Sequence, residues 1–552
     1  MGGESSEIVY THEMNDMDVD KGMDMDMDMD MDKRSKEYRS VQLNDMDMDK
    51  KSKEYQSVQL DESYDEELTP AENVETKLGW FNRIIAGCAE TKGIEPITDE
   101  EKTDTSLINA ASMWFTANMV LPTFSLGCLG PMVFDLNFGV SVLTICFFSV
   151  LGLLSVAFFS VFGAELGLRQ MVLSRFLIGN WAARAFSVIN TVACVGWGIV
   201  NTVSAAQLLN LVNQPHNMPL WAGCVVIVGS TVLVTFFGYK VIHLYQKYSW
   251  VPNFGVFLVI IARLKMSHTF TNGPWGGGPT TAGNVLSFGL SIYGFAAGWT
   301  TYAADYTVYM PRSTNKYKIF FWLCAGLAFP LFFCLILGAA CARGALEKKS
   351  WQALYNTNSG GGIAYSVMVP DSLHGFGQFC CVVLAMSTVA NNVPNMYTVA
   401  LSVQAVWEPF AKVPRVVWTL LANAFTVAIA CAAAYKFETF MNYFMDSIGY
   451  YISIYIAMAI SEHFIYRRGR FSAYHVEDWN NAKKLPVGLV GCVALFCSCF
   501  GVAVGMAQTY WVGEAARQIG EYGGDIGFEL GFGIAFVVYN IGRPLELKYF
   551  GR

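Results

Sequence analysis

The chain begins with a polar region, which is followed by long apolar stretches separated by short polar connections. From Thr105 onward there are twelve such stretches. Each is close to the length of about 20 residues that a helix needs to cross a bilayer. This pattern predicts an all-α integral membrane protein with about twelve transmembrane helices, here called spans one to twelve. The predicted bounds are 107–131, 139–164, 182–211, 219–239, 249–264, 284–310, 318–342, 376–404, 416–436, 439–466, 486–510 and 526–542.

Spans one and six contain residues that weaken a helix. In span six, residues 294–299 (GFAAGW) place two glycines among small side chains. In span one, Pro122 removes a backbone donor, and Gly127 and Gly130 are expected to loosen the turns that follow. Broken backbone at membrane depth is tolerated only where it is buried in protein or lines a cavity, so the two breaks predict a binding site. Because they lie five spans apart, we expect a five-plus-five inverted repeat with broken first and sixth helices, followed by two C-terminal helices.

Residues 1–100 have a different composition from the spans. Met and Asp alternate over residues 23–32, and the segment at 31–45 (MDKRSKEYRSVQLND) recurs at 48–62 as MDKKSKEYQSVQLDE. Two short polar copies cannot bury a core, so this region is predicted to be a disordered acidic tail. It is either a plain spacer or a regulatory tail that is modified by kinases or ubiquitin ligases. No signal peptide precedes it, so the first span is expected to act as the targeting signal.

The rest of the chain is expected to form three regions. These are an inverted-repeat transport core at 105–466, a cytoplasmic loop at 467–485, and two accessory helices with a short cytoplasmic C terminus at 486–552. Lysine and arginine are more frequent in the connections on the side of the tail than in the opposite loops. This asymmetry places both termini in the cytosol. We expect the protein to lie in the plasma membrane, with the lipid bilayer as a partner.

Composition excludes most soluble classes of protein. Hydrophobic residues make up 53% of the chain and charged residues only 15%. The 14 cysteines lie mostly in apolar runs without metal-ligand spacing, which is typical of small buried hydrophobic residues. The sequence has no phosphate-binding glycine loop, metal constellation or nucleophile elbow. It therefore predicts no enzyme, no metal or cofactor, and no nucleic-acid partner.

Polar and aromatic side chains inside the spans indicate a flat, neutral ligand. Trp197 and Asn201 are four residues apart in span three and share one helical face. They could instead be a lipid-facing aromatic and an interhelical hydrogen bond. In span eight, residues 387–395 (STVANNVPN) place three carboxamides and a proline in mid-membrane. A carboxamide matches the donor and acceptor pattern of a nucleobase edge, and Trp299 at the break of span six offers a stacking face.

Carboxylates are sparse in the spans, and intramembrane acids are functional candidates by default. Two of them are close enough to the membrane edge to be structural instead, paired with Arg169 or Arg467. Those two are Glu165 at the end of span two and Glu462 near the end of span ten, while Asp305 and Asp446 lie within spans six and ten.

Six segments carry a resemblance to a known family. They are Lys92–Asp104, Phe158–Met171, Cys194–Thr202, Gly294–Pro311, Ala390–Ser402 and Arg543–Arg552. In these segments, and from about Glu90 to the end of the chain, the sequence closely resembles the nucleobase-cation-symport family, in particular its fungal purine-cytosine permeases. The resemblance implies the inverted-repeat fold, one substrate at the membrane midplane, and proton-driven uptake of cytosine, adenine, guanine and hypoxanthine.

The resemblance also implies roles for individual residues. Four carry over as substrate contacts: Trp197, Asn201, Trp299 and Asn395. Asn391 and Pro394 would shape the site, and Ser125 is a further candidate contact. The segment around Ser125 varies in the family and contains Pro122, which leaves the detailed substrate profile open. Bacterial relatives bind sodium between spans one and eight, where Ser387 and Thr388 would be the remnant here; the candidates for cation or proton coupling are Ser387, Thr388, Asp305 and Glu165.

We therefore expect a proton-coupled importer of cytosine and purines that works by alternating access, with protons as the coupling ion. One alternative is an importer of another planar heterocycle such as vitamin B6. A second is a non-transporting nutrient receptor. An ion channel would require rings of charge or carbonyls, which the amide-rich and charge-poor spans do not offer.

Overall fold

The structure of the protein is a computed structural model that describes residues 92–216, 218–236, 239–434 and 437–552. The predictions for residues 1–91, namely the disordered tail, its duplication and its modification, lie outside these residues. The described chain is almost entirely helical, and each of the twelve predicted spans coincides with a helix or a pair of helices.

The helices of the first repeat cover spans one to five. They are α1 (Leu107–Asn118), α2 (Leu121–Met132), α3 (Phe138–Leu166), α4 (Gln170–Leu177), α5 (Asn180–Val212), α6 (Leu220–Phe236), α7 (Tyr239–Tyr248) and α8 (Trp250–Ser267). Of these, α1 and α2 together form span one. The short helices α4 and α7 lie in connections.

The second repeat has the same order, with an interrupted helix first. Its elements are α9 (Gly278–Ala297) continued by a 3₁₀ helix (Gly298–Tyr306), α10 (Lys316–Glu347), α11 (Lys349–Met368), α12 (His374–Met386), α13 (Thr388–Val406), α14 (Glu408–Ala411), α15 (Arg415–Ala433), and α16 (Phe437–Ile460) continued by a π-helical segment (Ser461–Tyr466). The helix α11 follows span seven just as α4 follows span two. Span eight consists of α12 and α13, which meet at Ser387.

The two accessory helices are α17 (Leu489–Gly505) and α18 (Gly527–Phe550). They pack on each other, and α18 also packs on α16. Between them lies an antiparallel hairpin of β1 (Ala507–Gln508) and β2 (Trp511–Val512), in which Gln508 pairs with Trp511. We call the end of the bundle with this hairpin the hairpin face, and the end with residues 92–104 and the C terminus the terminal face.

Seven of the described helices are long and apolar enough to cross a membrane by length and composition. Two more, Leu220–Thr235 and Leu489–Gly505, are apolar but shorter. Spans one and six are each divided into pieces, and neither they nor span twelve are among these nine helices. Three of the helices, α1, α3 and α10, begin with a side-chain cap, for example Asn137 before α3, whose Oδ1 accepts from Val140 N at 2.7 Å.

The break in span one lies before the proline. Val120 is extended (φ −141°, ψ 163°) and separates α1 from α2, and Pro122 occupies the first turn of α2, where a missing N–H has no cost. The predicted loosening at Gly127 and Gly130 is wrong, because both lie inside a regular helix. A Cβ on Gly127 would lie 2.0 Å from the carbonyl oxygen of Leu335, so this glycine lets α10 approach closely.

The break in span six is a change of helix type rather than a gap. The α-helix ends at Ala297, and the chain continues directly as a 3₁₀ helix from Gly298. The glycines here make room for neighbours. A Cβ on Gly294 would lie 2.2 Å from the carbonyl oxygen of Met445, and one on Gly298 would lie 2.8 Å from the ring of Trp197.

The packed part of the chain extends further toward the N terminus than expected. Ile97 N donates to Gly167 O at 2.9 Å, and Asp104 N donates to Tyr309 O at 3.0 Å. Lys102 reaches Ala164 O at 3.0 Å; burial lowers its pKa, an effect that Asp99, 3.2 Å away, opposes. Residues 92–104 therefore pack on the terminal face, whereas the sequence extended the disordered tail to residue 100.

Candidate functional site

Two tryptophans form a parallel pair in the middle of the bundle. Trp197 of α5 and Trp299 of the 3₁₀ helix have ring centroids 6.1 Å apart and planes within 10° of each other. Both side chains are about 1% exposed. A flat ligand between two such rings needs about 7 Å, twice the usual carbon–carbon contact distance. Because 6.1 Å between the centroids is less than this, the pair would have to open for a planar heterocycle to stack on both faces.

The pair is supported by residues that the sequence analysis did not assign to the site. Trp114 of α1 lies 5.3 Å from Trp299 between ring centroids, and Asn118 Oδ1 accepts from Trp299 Nε1 at 3.2 Å. Trp114 and Asn118 are four residues apart, as are Trp197 and Asn201. That repeated spacing of an indole and a carboxamide was the signal that could have identified them.

A chain of carboxamides fixes the orientation of Asn201. Asn391 Nδ2 donates to Ala117 O at 2.6 Å, a carbonyl in the last turn of α1, where the break leaves acceptors free. Asn391 therefore presents its oxygen to Asn201, whose Nδ2 donates at 2.8 Å to the Oδ1 atoms of both Asn391 and Asn392. Asn201 Oδ1 must then point away from span eight. The broken helix thus determines which atom of Asn201 is available.

Two polar atoms next to the tryptophan pair have no partner among the described residues. They are Asn201 Oδ1, an acceptor, and Trp197 Nε1, a donor, and both are buried. The two residues lie one turn apart on α5. An unpaired buried polar atom costs about 1–3 kcal/mol. A ligand with an N–H donor and a ring nitrogen or carbonyl acceptor would remove that cost.

Asn395 is engaged by the protein in this conformation. Its Nδ2 donates to Asn391 O at 2.8 Å, and its Oδ1 accepts from the hydroxyl of Tyr302 at 2.8 Å. Pro394 has no N–H, and the carbonyl of Ala390 one turn earlier accepts instead from Gln246 Nε2 at 2.6 Å. Span eight is therefore held by contacts from α7 and the 3₁₀ helix. Asn395 as a substrate contact stays a prediction, because it requires exchange of its bond to Tyr302.

Ser125 lies on the side of α2 that faces α11. A Cβ on Gly360 of α11 would lie 2.3 Å from Ser125 Oγ, and Gly361 faces Leu208 of α5. At Ser359 the helix is kinked, with φ 50°. The glycine segment of α11 thus inserts between α2 and α5. The Ser125 hydroxyl is buried without a hydrogen-bond partner among the described residues.

Ser387 joins the break of span one to span eight. Its hydroxyl donates to Leu384 O at 2.5 Å and accepts from Leu121 N, the first amide of α2, at 3.1 Å. Thr388 Oγ1 donates to Ala385 O at 2.9 Å. The Ser387 oxygen therefore already serves as a donor and as an acceptor. In this conformation it caps the start of α2.

Asp305 lies toward the terminal face, six residues beyond Trp299. Its Oδ1 accepts from Gln170 N at 2.7 Å and its Oδ2 from Thr398 Oγ1 at 3.2 Å. Arg169 donates to the Asp305 carbonyl at 2.8 Å, so a guanidinium lies beside the carboxylate. This network joins the 3₁₀ helix to α4 and α13.

The two carboxylates at the membrane edge differ. Glu462 is buried and paired with Arg467 at 3.1 Å, as the structural alternative expected, and also with Arg543 at 2.9 Å. Arg169 contacts Asp305 instead of pairing with Glu165. The main-chain oxygen of Glu165 accepts from Arg312 at 2.8 Å.

The structure thus divides the predicted site residues into four groups. Trp197, Asn201, Trp299, Asn391, Pro394 and Asn395 form one connected cluster in the middle of the bundle. Ser387 and Thr388 lie beside the break of span one. Asp305 and Glu165 lie toward the terminal face, and Ser125 packs against α11.

No three His, Cys, Asp or Glu side chains of the described residues form a group that could hold a metal ion. The thirteen cysteines in the described part of the chain are free, and many are buried.

Comparison with known proteins agrees with this geometry. A family described as "Permease for cytosine/purines, uracil, thiamine, allantoin" matches residues 96–513. The purine-cytosine permease FCY21 of Saccharomyces cerevisiae is 68% identical over 495 residues, which cover 89% of this chain and 94% of the relative. The vitamin B6 transporter TPN1 of the same yeast is 29% identical, with 86% and 91% covered.

A solved structure shares the fold. Mhp1, a nucleobase-cation-symport-1 family transporter in a closed conformation with bromovinylhydantoin bound, superposes with a TM-score of 0.63. The match covers 83% of this chain and 96% of that one at 12% sequence identity.

Proposed function

This chain belongs to the family of permeases for cytosine/purines, uracil, thiamine and allantoin, and from that premise we propose that it is a proton-coupled secondary transporter that imports cytosine, adenine, guanine and hypoxanthine by alternating access. The observation that carries this proposal is the parallel pair of Trp197 and Trp299 with the free acceptor of Asn201 beside it. Stacking accepts any flat ring, whereas the unpaired acceptor selects rings that carry an N–H.

In this proposal the nucleobase enters between the two indoles. Stacking on an aromatic face contributes about 1–3 kcal/mol per base. Asn201 Oδ1 accepts an N–H of the base, while Trp197 Nε1 donates to a ring nitrogen or carbonyl. Cytosine and the three purines all offer both groups on one edge. Asn395 would take part after exchange of its bond to Tyr302, with Asn391 and Pro394 holding its position.

The coupling ion in this proposal is the proton. Ser387, the remnant of a sodium site in the family resemblance, already uses its hydroxyl as donor and acceptor within the protein. Asp305 lies beside a guanidinium, which favours a constant negative charge. Alternating access then follows from movement of the broken spans around the central cluster.

The orientation in the membrane follows from the distribution of basic residues. The terminal face carries Arg467, Arg468 and Arg470, and Lys483 and Lys484, which favours the cytoplasm. The hairpin face would then be extracellular, and the location would be the plasma membrane. The bilayer is the surrounding partner, and kinases or ubiquitin ligases would act on the N-terminal tail.

A second candidate substrate is vitamin B6, because a vitamin B6 transporter is among the relatives. Its identity of 29% is much lower than the 68% of the purine-cytosine permease, which favours nucleobases. Competition of labelled cytosine uptake by unlabelled pyridoxine discriminates between the two. Strong competition by pyridoxine and none by adenine would reverse the preference.

The test of the proposal is uptake of labelled cytosine in cells that lack their own permease. Trp197→Ala should lose uptake while remaining at the cell surface. The matched control is Trp181→Ala on the same helix, because Trp181 is 56% exposed and faces away from the site. Normal uptake by a surface-localised Trp197→Ala variant would contradict the proposal, as would equal loss in both variants.

A further inference from the structure

A second buried polar network lies toward the hairpin face, apart from the tryptophan pair. Asp446 of α16 accepts from Ser291 Oγ of α9 at 2.7 Å and from Gln508 Nε2 at 2.9 Å. Gln508 Nε2 also lies 3.1 Å from Asp525 Oδ2 and 3.0 Å from the hydroxyl of Tyr450. One neutral amide therefore connects two carboxylates. The network joins span six, span ten and the connection between the accessory helices.

The two carboxylates are buried without a described cation. Asp446 is 3% exposed and Asp525 is 0% exposed. Neither forms an ion pair with a described lysine, arginine or histidine. The arginine of this connection, Arg517, pairs with Glu514 at 2.9 Å, and both are exposed. Two negative charges without a cation at such a position are costly, and when one carboxylate is charged the other is favoured in its protonated form.

The titratable groups that face the pair offer no positive charge. They are Tyr450 of α16, Tyr510 of the hairpin connection and Glu529 of α18. From α9 only the hydroxyls of Ser291 and Ser287 reach the network. All of these groups are neutral or acidic.

The network also contains a hydrogen-bond acceptor that has no donor. Gln508 is 5% exposed, and its Oε1 is buried with no partner among the described residues. This unpaired acceptor shows that the cluster holds more buried oxygens than hydrogens to satisfy them, which is an environment that favours the protonated form of a carboxyl group.

The two carboxylates differ in the number of hydrogen bonds that they accept from described residues. Asp525 accepts four bonds, from Ala507 N at 2.7 Å, Gly527 N at 2.9 Å, Tyr450 at 2.5 Å and Gln508 at 3.1 Å. These bonds favour its charged form, although burial raises the pKa of Asp525 more than they lower it. Asp446 accepts only two bonds. The shared proton therefore belongs on Asp446.

A protonated Asp446 can form a chain that an ionised one cannot. Its new O–H would donate to Ser291 Oγ, and Ser291 would then turn its own hydrogen to Asn442 Oδ1, 3.3 Å away. In the ionised form, Ser291 donates to Asp446 instead. One proton thus adds one O–H bond on Asp446 and reverses one hydrogen bond.

This network is connected to the substrate cluster through α16. Phe444, two residues before Asp446, contacts Trp197 edge-on with ring centroids 5.3 Å apart. The carbonyl of Met445 lies against Gly294 of span six. The segment of α16 that carries Asp446 therefore covers the tryptophan pair.

We propose that Asp446, with Asp525 as its fixed partner, is a proton-binding site that holds α16 closed over the occupied substrate site. This inference rests on the proposed function, because it assumes that uptake is driven by protons. An external proton forms the O–H bond on Asp446, and no other reactant is needed. Two residues of the accessory helices' connection, Gln508 and Asp525, complete this site.

The test compares labelled cytosine uptake at external pH 5 and pH 7 in cells that carry the wild type or a variant. The wild type should be faster at pH 5. Asp446→Asn imitates the protonated form, so its uptake should be equal at the two pH values, while exchange of internal unlabelled for external labelled cytosine continues. The control is Glu514→Gln, an exposed carboxylate of the same connection, which should keep the wild-type pH profile.

A second variant keeps the test decisive if Asp446→Asn does not reach the cell surface. Gln508→Leu removes the amide between the carboxylates and makes double ionisation more costly. The pH profile should then shift upward by about one unit, which is a tenfold change in proton affinity. An unchanged pH profile in either surface-localised variant would overturn the inference, as would loss of exchange in Asp446→Asn.

The outcomes for the wild type separate this inference from the proposed function. Uptake that ignores both pH and a protonophore would contradict proton coupling itself. Uptake that requires sodium at fixed pH, with that requirement lost in Asp446→Asn, would make the pair a metal-cation site and overturn the proton assignment. The third outcome is that the wild type and Asp446→Asn respond equally to pH. It would exclude Asp446 as the proton-binding residue but leave proton coupling intact.

Discussion

Two buried aspartates at opposite ends of the bundle have nearly equal burial and different surroundings. Asp305 is 2% exposed and Asp446 is 3% exposed. Asp305 lies beside Arg169 on the terminal face, whereas the described titratable groups that face Asp446 on the hairpin face are neutral or acidic. The difference shows that burial alone does not determine what a carboxylate does. A cation nearby favours a constant structural charge, and its absence favours uptake of a proton.

The largest expected effect is a difference in protein stability between a variant of Asp305 and the matching variant of Asp446. Asp305→Asn leaves Arg169 buried without a compensating charge, which costs about 3–5 kcal/mol. Asp446→Asn removes a charge that has no partner, so it should cost far less. Thermal unfolding of the purified proteins in detergent measures both. Equal destabilisation by the two substitutions would break the comparison.

Substitutions of the carboxamides that lie between the two aspartates should have the next largest effect, which is on substrate uptake. Asn201→Asp places a carboxylate against the oxygens of Asn391 and Asn392 and should abolish uptake. Asn395→Asp loses the donor to Asn391 O but keeps the acceptor for Tyr302. Loss of one buried hydrogen bond costs about 1–3 kcal/mol, or roughly 5- to 150-fold in affinity.

The form of the loss at Asn395 is informative. If its carboxamide pairs with the base, the order of preference among cytosine, adenine, guanine and hypoxanthine should change, because a polar site rejects a wrong hydrogen-bond pattern strongly. If it only supports span eight next to Pro394, all four should weaken equally. Competition profiles and surface abundance on the same variant distinguish these results. An unchanged profile at normal surface level would remove the pairing role.

The smallest expected effects come from removing the hydroxyl groups that donate a hydrogen bond to each carboxylate. Thr398→Val removes the 3.2 Å bond to Asp305 and should lower stability by about 1 kcal/mol without changing the pH profile. Ser291→Ala removes a donor from ionised Asp446, and bonds to charged groups are the stronger ones. The proton is then held more tightly, so acid-stimulated uptake should persist to higher pH. A shift of the pH profile with Thr398→Val and none with Ser291→Ala would indicate that Asp305, not Asp446, binds the proton.

The fold was largely predictable because the bilayer sets the length of each apolar stretch. The predicted bounds of span one, 107–131, differ by one residue from Leu107–Met132 in the structure. The helical spacing of Trp197 and Asn201 also predicted that the two side chains lie one turn apart on one helix, as the structure has them. These features depend on local sequence and membrane thickness.

The partners of the polar groups were not predictable, because they come from distant parts of the chain. The sequence suggested that Arg169 pairs with Glu165, four residues away, whereas it lies beside Asp305, 136 residues away. It also gave no indication that the hydroxyl of Tyr302 donates to the oxygen of Asn395. Asp525 lies in the connection between the two accessory helices, outside the predicted spans, so a search for acids within the spans does not find it.

The central claim is that a flat base enters between Trp197 and Trp299. The most direct test is an experimental structure of the purified protein with cytosine bound. We expect the ring centroids to separate from 6.1 Å to about 7 Å, with cytosine between the indoles and an N–H directed at Asn201 Oδ1. Cytosine bound elsewhere, with the two indoles still 6.1 Å apart, would contradict the account.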